Sequence, residues 1–126
     1  MTFSVLQGEY AIRRYPSEAA LMPNLSAFEF ACVSKSPGEA TYICPADALA
    51  PEGWQAKEKG WRILKIKGPF SFEVVGVLAQ ASAILAAAGV SIFAVSTFDT
   101  DYLLVKEKSL AEACDALKKG GHEVSR

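Results

Sequence analysis

The sequence predicts a small α+β protein whose C-terminal half runs β, α, β, β, α, β, and three observations carry that expectation. Apolar residues recur at Val77, Leu78, Ala81, Ile84, Leu85 and Ala88, one face of a helix of 3.6-residue period. A second stripe at Leu110, Ala113, Cys114 and Leu117 follows Ser109 and Glu112, whose spacing is that of a capping box. Around these stripes lie short runs rich in Val, Ile, Phe and Thr, bounded by Gly, Pro and Asp turn signals. Split βαβ units in this order build a four-stranded antiparallel sheet with both helices on one face. At 126 residues the chain holds one ordinary domain or two very small ones. We read residues 1–60 as one unit and 61–126 as the other.

In the C-terminal half, Trp61 to Lys67 alternates loosely and reads as a strand partly buried on both faces. Pro69 has no N–H for a ladder and ends it. The helix after Gly76 carries mostly Ala, Ser and Gln opposite its apolar stripe, a composition that allows near-complete burial. Gly89 stands where a left-handed C-cap is wanted. Ser91 to Phe98 is a strand, Asp99-Thr100 a tight turn, and Tyr102 to Val105 the return strand. Lys118 and Lys119 suit the negative end of the second helix, and Gly120-Gly121 terminates it. His122 to Ser125 is a last short strand, with His122 exposed.

The N-terminal half is a less regular version of the same order. Phe3 to Leu6 and Tyr10 to Tyr15 are strands around Gly8. Pro16-Ser17-Glu18 opens a short helix through Leu21, which Pro23 stops. Phe28 to Ser34 alternates as a strand, Pro37-Gly38 is a turn, and Glu39 to Cys44 is the next strand. Pro45 to Leu49 is one helical turn, Pro51-Glu52-Gly53 a loop, and Trp54 to Lys59 extended. The duplication rests on element order alone, because no residue-level repeat accompanies it.

Composition excludes several function classes. With 51% hydrophobic and 21% charged residues the chain is globular, not disordered. Thirteen Lys and Arg against fourteen Asp and Glu leave a net charge of −1, so no basic face awaits nucleic acid. Ser91 to Phe98 also lacks the Lys or Arg that an RNA-binding strand of this topology needs. The apolar run Val74 to Val95 is interrupted by Gly89 and reads as a helix and a strand, not a membrane span. The N-terminus shows no basic-then-apolar leader, and three widely spaced cysteines suit a reducing cytosol, so the expected location is cytoplasmic. His122 is the only histidine, and no C-x-x-C, P-loop or G-x-G-x-x-G occurs. No catalytic residue, metal site or cofactor is expected.

The run Lys67-Gly68-Pro69-Phe70-Ser71-Phe72-Glu73-Val74-Val75-Gly76-Val77-Leu78-Ala79 resembles the first strand and loop of ACT domains. Ala86 to Thr97 resembles their helix end and second strand, and Phe98 to Val105 completes the likeness. The Ser96-to-Tyr102 portion is most similar to the branch holding CASTOR-type arginine sensors, aspartokinase regulatory domains and small stand-alone bacterial proteins. The resemblance covers about half of the chain. It implies a ferredoxin-like sandwich, regulation through a small ligand, usually an amino acid, and side-by-side pairing of units within a chain or across a homodimer.

The residues suit such a ligand. Gly76-Val77-Leu78 opens a helix, where N–H groups and the dipole favour a carboxylate. Asp99 and Asp101 can pair with an ammonium, and Ser96 and Thr97 can add hydroxyl bonds. Phe70, Phe72, Ile92 and Phe93 can line a pocket. Each feature has a plain structural use too: Gly before a helix as a turn, Asp beside a hairpin for local bonding, Phe in a core. The alternative function is an assembly module of the same fold that binds no small molecule.

Overall fold

A computed structural model describes residues 2–19, 21, 23–67 and 76–126. Its regular elements are β1 (Thr2–Val5), β2 (Tyr10–Tyr15), β3 (Cys32–Ser36), β4 (Glu39–Pro45), β5 (Ala56–Ile66), α1 (Val77–Ala87), β6 (Phe93–Ser96), β7 (Asp101–Lys106), α2 (Leu110–Lys119) and β8 (Glu123–Ser125). They fall into two compact units, Met1–Gln7 with Arg62–Arg126, and Gly8–Trp61. The break at 61/62 is one residue from the expected boundary. Residues 1–7, expected with the N-terminal unit, instead pack with the C-terminal one.

In that larger unit the strand order is β6, β7, β5, β1, β8. β1 is antiparallel to β5, with Phe3 opposite Ile66 and Val5 opposite Leu64. It is parallel to β8, with Phe3 opposite Val124. The four strands expected from Trp61 onward thus gain a fifth, inserted between the first and last of them. Lys67 N–H donates to the Thr2 carbonyl at 2.9 Å and Leu6 N–H to the Ile63 carbonyl at 2.9 Å, extending the ladder at both ends of β1. Arg62 pairs with Glu107 at 3.1 Å, and its Nη2 donates to the Leu6 carbonyl at 3.4 Å.

Both helices cover one face of this sheet. Phe3, Leu64, Ile66, Leu103 and Val105 from the strands meet Ala81 and Leu85 of α1 and Leu110, Ala113, Cys114 and Leu117 of α2. The α2 stripe is buried as its periodicity requires. In α1 only Ala81 and Leu85 are fully buried, with Val77, Leu78 and Ile84 packed at the margin. Ala88 is exposed, as are Ala79, Gln80, Ala83, Ala86 and Ala87, so the far face of α1 is open instead of buried. Small side chains reveal little about which way a helix faces.

Cap chemistry is mixed. Gly89 has φ +76°, and its N–H donates to Ala86 while Val90 N–H donates to Leu85 at 2.9 Å, the paired bonds of a left-handed C-terminus. α2 closes the same way, through Gly121 to Lys118 and His122 to Leu117. Its N-terminus differs from expectation: Ser109 makes no side-chain cap bond, because a 3-10 turn at Glu107–Ser109 leads into the helix. His122 is half-buried, not exposed, with its ring edge-on to Phe3 at 5.4 Å.

The smaller unit is an antiparallel sheet in the order β3, β4, β2 and the start of β5. Neither expected short helix forms among the described residues: Ser17-Glu18 and Ala46-Asp47 are turns, and only a 3-10 turn at Leu25–Ala27 is helical. Prolines 16, 23, 45 and 51 leave too few consecutive N–H groups for a stable helix there. The strand expected from Phe28 starts at Cys32, and Phe28 instead packs beside the buried Tyr15, Ala40, Tyr42 and Cys44. Cys32 faces Ile43 across the ladder and is half-buried. Burial raises its thiol pKa.

Because Phe3 is fully buried in the larger unit's core, Phe3→Ala should cost about 3–5 kcal/mol in urea unfolding. A loss below about 1 kcal/mol would show that β1 does not complete that core.

Candidate functional site

Of the sequence-predicted site residues, Ser96, Thr97, Asp99 and Asp101 lie at the β6–β7 hairpin, Phe93 at the other end of β6, and Gly76, Val77 and Leu78 at the start of α1. β6 and β7 pair Ser96 with Asp101, Val95 with Tyr102 and Phe93 with Leu104. The loop is therefore Phe98-Asp99, one residue earlier than the sequence suggested, closed by Thr97 and Thr100. Thr97 N–H donates to the Thr100 carbonyl at 2.8 Å. The Thr97 hydroxyl donates to the same carbonyl at 3.0 Å and accepts from Thr100 N–H at 3.2 Å. Two-residue hairpins favour turns with positive φ, yet no described non-glycine residue has one. The threonine bonds hold the loop in the absence of that geometry.

Thr100 was not singled out from sequence, and it fixes the site. It is buried, and its hydroxyl donates to the Ile66 carbonyl at the end of β5. That bond ties the hairpin to the strand whose continuation leads to α1. The signal was present as two threonines three residues apart, but a threonine's partner across 34 residues is invisible to periodicity.

Gly76 is the N-cap of α1, with φ +87°. A side chain there would be strained even though nothing crowds the position. Gln80 N–H returns to the Gly76 carbonyl at 2.8 Å, and no side chain caps the helix. The N–H groups of Val77, Leu78 and Ala79 precede the first intrahelical bond and have no acceptor within the helix. The Val77 and Leu78 side chains pack on the core, so any ligand contact from them is through the backbone. The link 88–92 joins α1 to β6.

Asp99 is exposed at the hairpin tip, Asp101 is half-buried, and neither makes a hydrogen bond or ion pair with another described residue. Ser96 and Thr97 are exposed. Phe93 is 37% exposed, more open than a core residue. Ile92 packs at the core margin. No hydrogen bond or ion pair among the described residues joins Gly76, Val77 or Leu78 to Ser96, Thr97, Asp99 or Asp101. Phe70 and Phe72 lie outside the described residues.

With that geometry in place, comparison with known proteins is decisive. The model of the ACT domain matches residues 56–119, just over half of the chain. The chain belongs to the ACT-domain family. It is 37% identical over 60 residues to the human cytosolic arginine sensor for mTORC1 subunit 1, a match covering 47% of this chain but only 18% of that protein. A crystal structure from Agobacterium tumefaciens shares 30% identity with a TM-score of 0.87, over 98% of this chain and 90% of that one. The ligand-free regulatory subunit of aspartate kinase from Thermus thermophilus, at 13% identity, has the same fold, with a TM-score of 0.57 over 88% of this chain and 90% of that one. The ACT match begins in β5 and ends with α2, and so contains the Gly76 turn and the hairpin.

Among the described residues no group of three His, Cys, Asp or Glu is placed to hold a metal ion, and no helix is long and apolar enough to cross a membrane.

Thr100→Val replaces the hydroxyl by a methyl and removes this donor from the Ile66 carbonyl. It should cost about 1–3 kcal/mol, with Thr100→Ser retaining most of the stability. Equal stability of Thr100→Val and the parent in urea would show that the tie does not hold the hairpin.

Proposed function

We propose that this ACT protein is a non-catalytic, cytoplasmic regulatory protein that binds a free amino acid. The ligand carboxylate lies on the N–H groups of Gly76, Val77 and Leu78, and its ammonium lies on Asp99 and Asp101. Ser96 and Thr97 add hydroxyl contacts, and Phe93 forms part of the wall. The observation that supports the reading is that Asp99 and Asp101 make no hydrogen bond or ion pair with a described residue, while the helix opening at Gly76 has no side-chain cap. A zwitterion needs an anion site and a cation site, and we assign these to the Gly76 turn and the Asp99–Asp101 hairpin. The human relative, 37% identical over 60 residues, is named an arginine sensor, which supports an amino acid as the ligand class. A second copy of the chain closes the site in a homodimer.

A second reading, an assembly module without a small ligand, is favoured by Phe98, which is 76% exposed at the hairpin tip. The two readings separate in one experiment. Dialysed protein is screened by thermal shift against the twenty amino acids. Ligand at about a hundred times its dissociation constant adds roughly 2.7 kcal/mol, a rise of several degrees. Asp99→Ala and Asp101→Ala should abolish the rise without lowering the ligand-free midpoint by more than a degree or so. A folded, ligand-free oligomer that responds to none of the twenty would move the assignment to the assembly module.

A further inference from the structure

The smaller unit contains a buried cation, Arg13, that forms no ion pair with a described residue. Arg13 lies in the middle of β2, opposite Tyr42 on β4 and Lys57 on β5. It shares its strand face with Tyr15, which is buried with Tyr42 and Cys44. Only 2% of Arg13 is exposed. Its Nη1 donates to the Cys44 sulfur at 3.3 Å, and its Nε–H has no acceptor. No carboxylate of a described residue lies within 4 Å of the guanidinium. The neighbouring Arg14 shows the ordinary solution: it reaches solvent, pairs with Glu39 at 3.6 Å, and donates to Gln55 and to the Gly38 carbonyl.

A guanidinium cannot shed its proton to escape burial, and an unpaired buried charge is costly. A second donor stands beside it. Tyr42 is fully buried, and its hydroxyl lies near the Cys44 sulfur without a partner in hydrogen-bond geometry. Burial, and then Cys44, push its pKa up to about 12, so the hydroxyl stays protonated and able to donate. An aromatic ring lies against the guanidinium. Trp54 sits over the Arg13 guanidinium at 5.2 Å and over the Lys57 ammonium at 5.9 Å. It is 39% exposed and belongs to the irregular segment before β5.

We propose that Arg13 and Tyr42 form a carboxylate-binding site in the smaller unit, with Trp54 as its movable cover. The Nε–H and the Tyr42 O–H supply two donors for the two oxygens of one planar anion, and the guanidinium supplies the charge. A small organic carboxylate enters when Trp54 turns outward, and neutralises the buried cation. This site stands on residues separate from those proposed above for amino-acid binding.

The test follows tryptophan emission of the full chain during titration with sodium acetate, with sodium chloride and sodium phosphate run at matched ionic strength. Acetate should give a saturable change that chloride and phosphate do not reproduce. Arg13→Met, which keeps the volume, should abolish it. Tyr42→Phe should weaken it about tenfold, the loss of one hydrogen bond. Asp99→Ala should leave it unchanged, whatever that variant does to amino-acid binding. If Arg13→Met fails to fold by circular dichroism, Arg13→Lys, which keeps the charge but lacks the Nε–H, takes its place and should also weaken binding. An acetate response no different from that of chloride or phosphate, or one that survives loss of the Arg13 fork, would overturn the proposal.

Discussion

Thr2, Phe3 and Ser4 pair in parallel with Glu123, Val124 and Ser125, across nearly the whole length of the chain. The other side of the same strand is antiparallel to the end of β5. One four-residue strand therefore stands between the first and last strands of the ACT unit, and the rest of that unit depends on it. Its insertion brings Phe3 into the core that both helices cover. It also gives β8, only three residues long, a ladder partner. Closing such a distant pair costs loop entropy before it returns any contact. The unit completes itself only when both chain ends are in place.

The hairpin of the proposed ligand site belongs to the sheet that this arrangement steadies. β5 carries the strain of position: it pairs with β1 on one side and β7 on the other, and its last carbonyl receives the Thr100 hydroxyl. That bond sets where the hairpin turns, and the hairpin in turn sets where Asp99 and Asp101 stand. No hydrogen bond or ion pair among the described residues joins the α1 N-terminus to the hairpin. Two recognition elements held by independent anchors can adjust their spacing to a ligand without disturbing the core. That is a property suited to a regulatory unit, in which binding must alter something.

The legible parts of the sequence were local and periodic. The α2 stripe from Leu110 to Leu117, the α1 start after Gly76, the left-handed glycine at 89 and the strand pair around residues 93–106 all follow from side-chain spacing and glycine chemistry. What was not legible was pairing at a distance and competition between local devices. Nothing in Thr2–Val5 says that its neighbours are 60 and 120 residues away. Ser109 and Glu112 have capping-box spacing, but the preceding 3-10 turn claims that backbone first. Alternation from Phe28 suggested a strand, whereas burial of Phe28 against the Tyr15 cluster bends the chain there. Arg13 was read simply as part of a strand, because its isolation depends on where Cys44, Tyr42 and Trp54 arrive from other strands and loops.

In the proposed site the helix opening at Gly76 and the hairpin from Ser96 to Asp101 bind one ligand together. Backbone amide shifts of ¹⁵N-labelled protein, followed while a free amino acid is added, test this. The largest saturable shifts should fall on Gly76, Val77 and Leu78 together with Thr97, Asp99 and Asp101, all with one common affinity. Shifts confined to other regions of the chain, or different affinities for the turn and the hairpin, would contradict it.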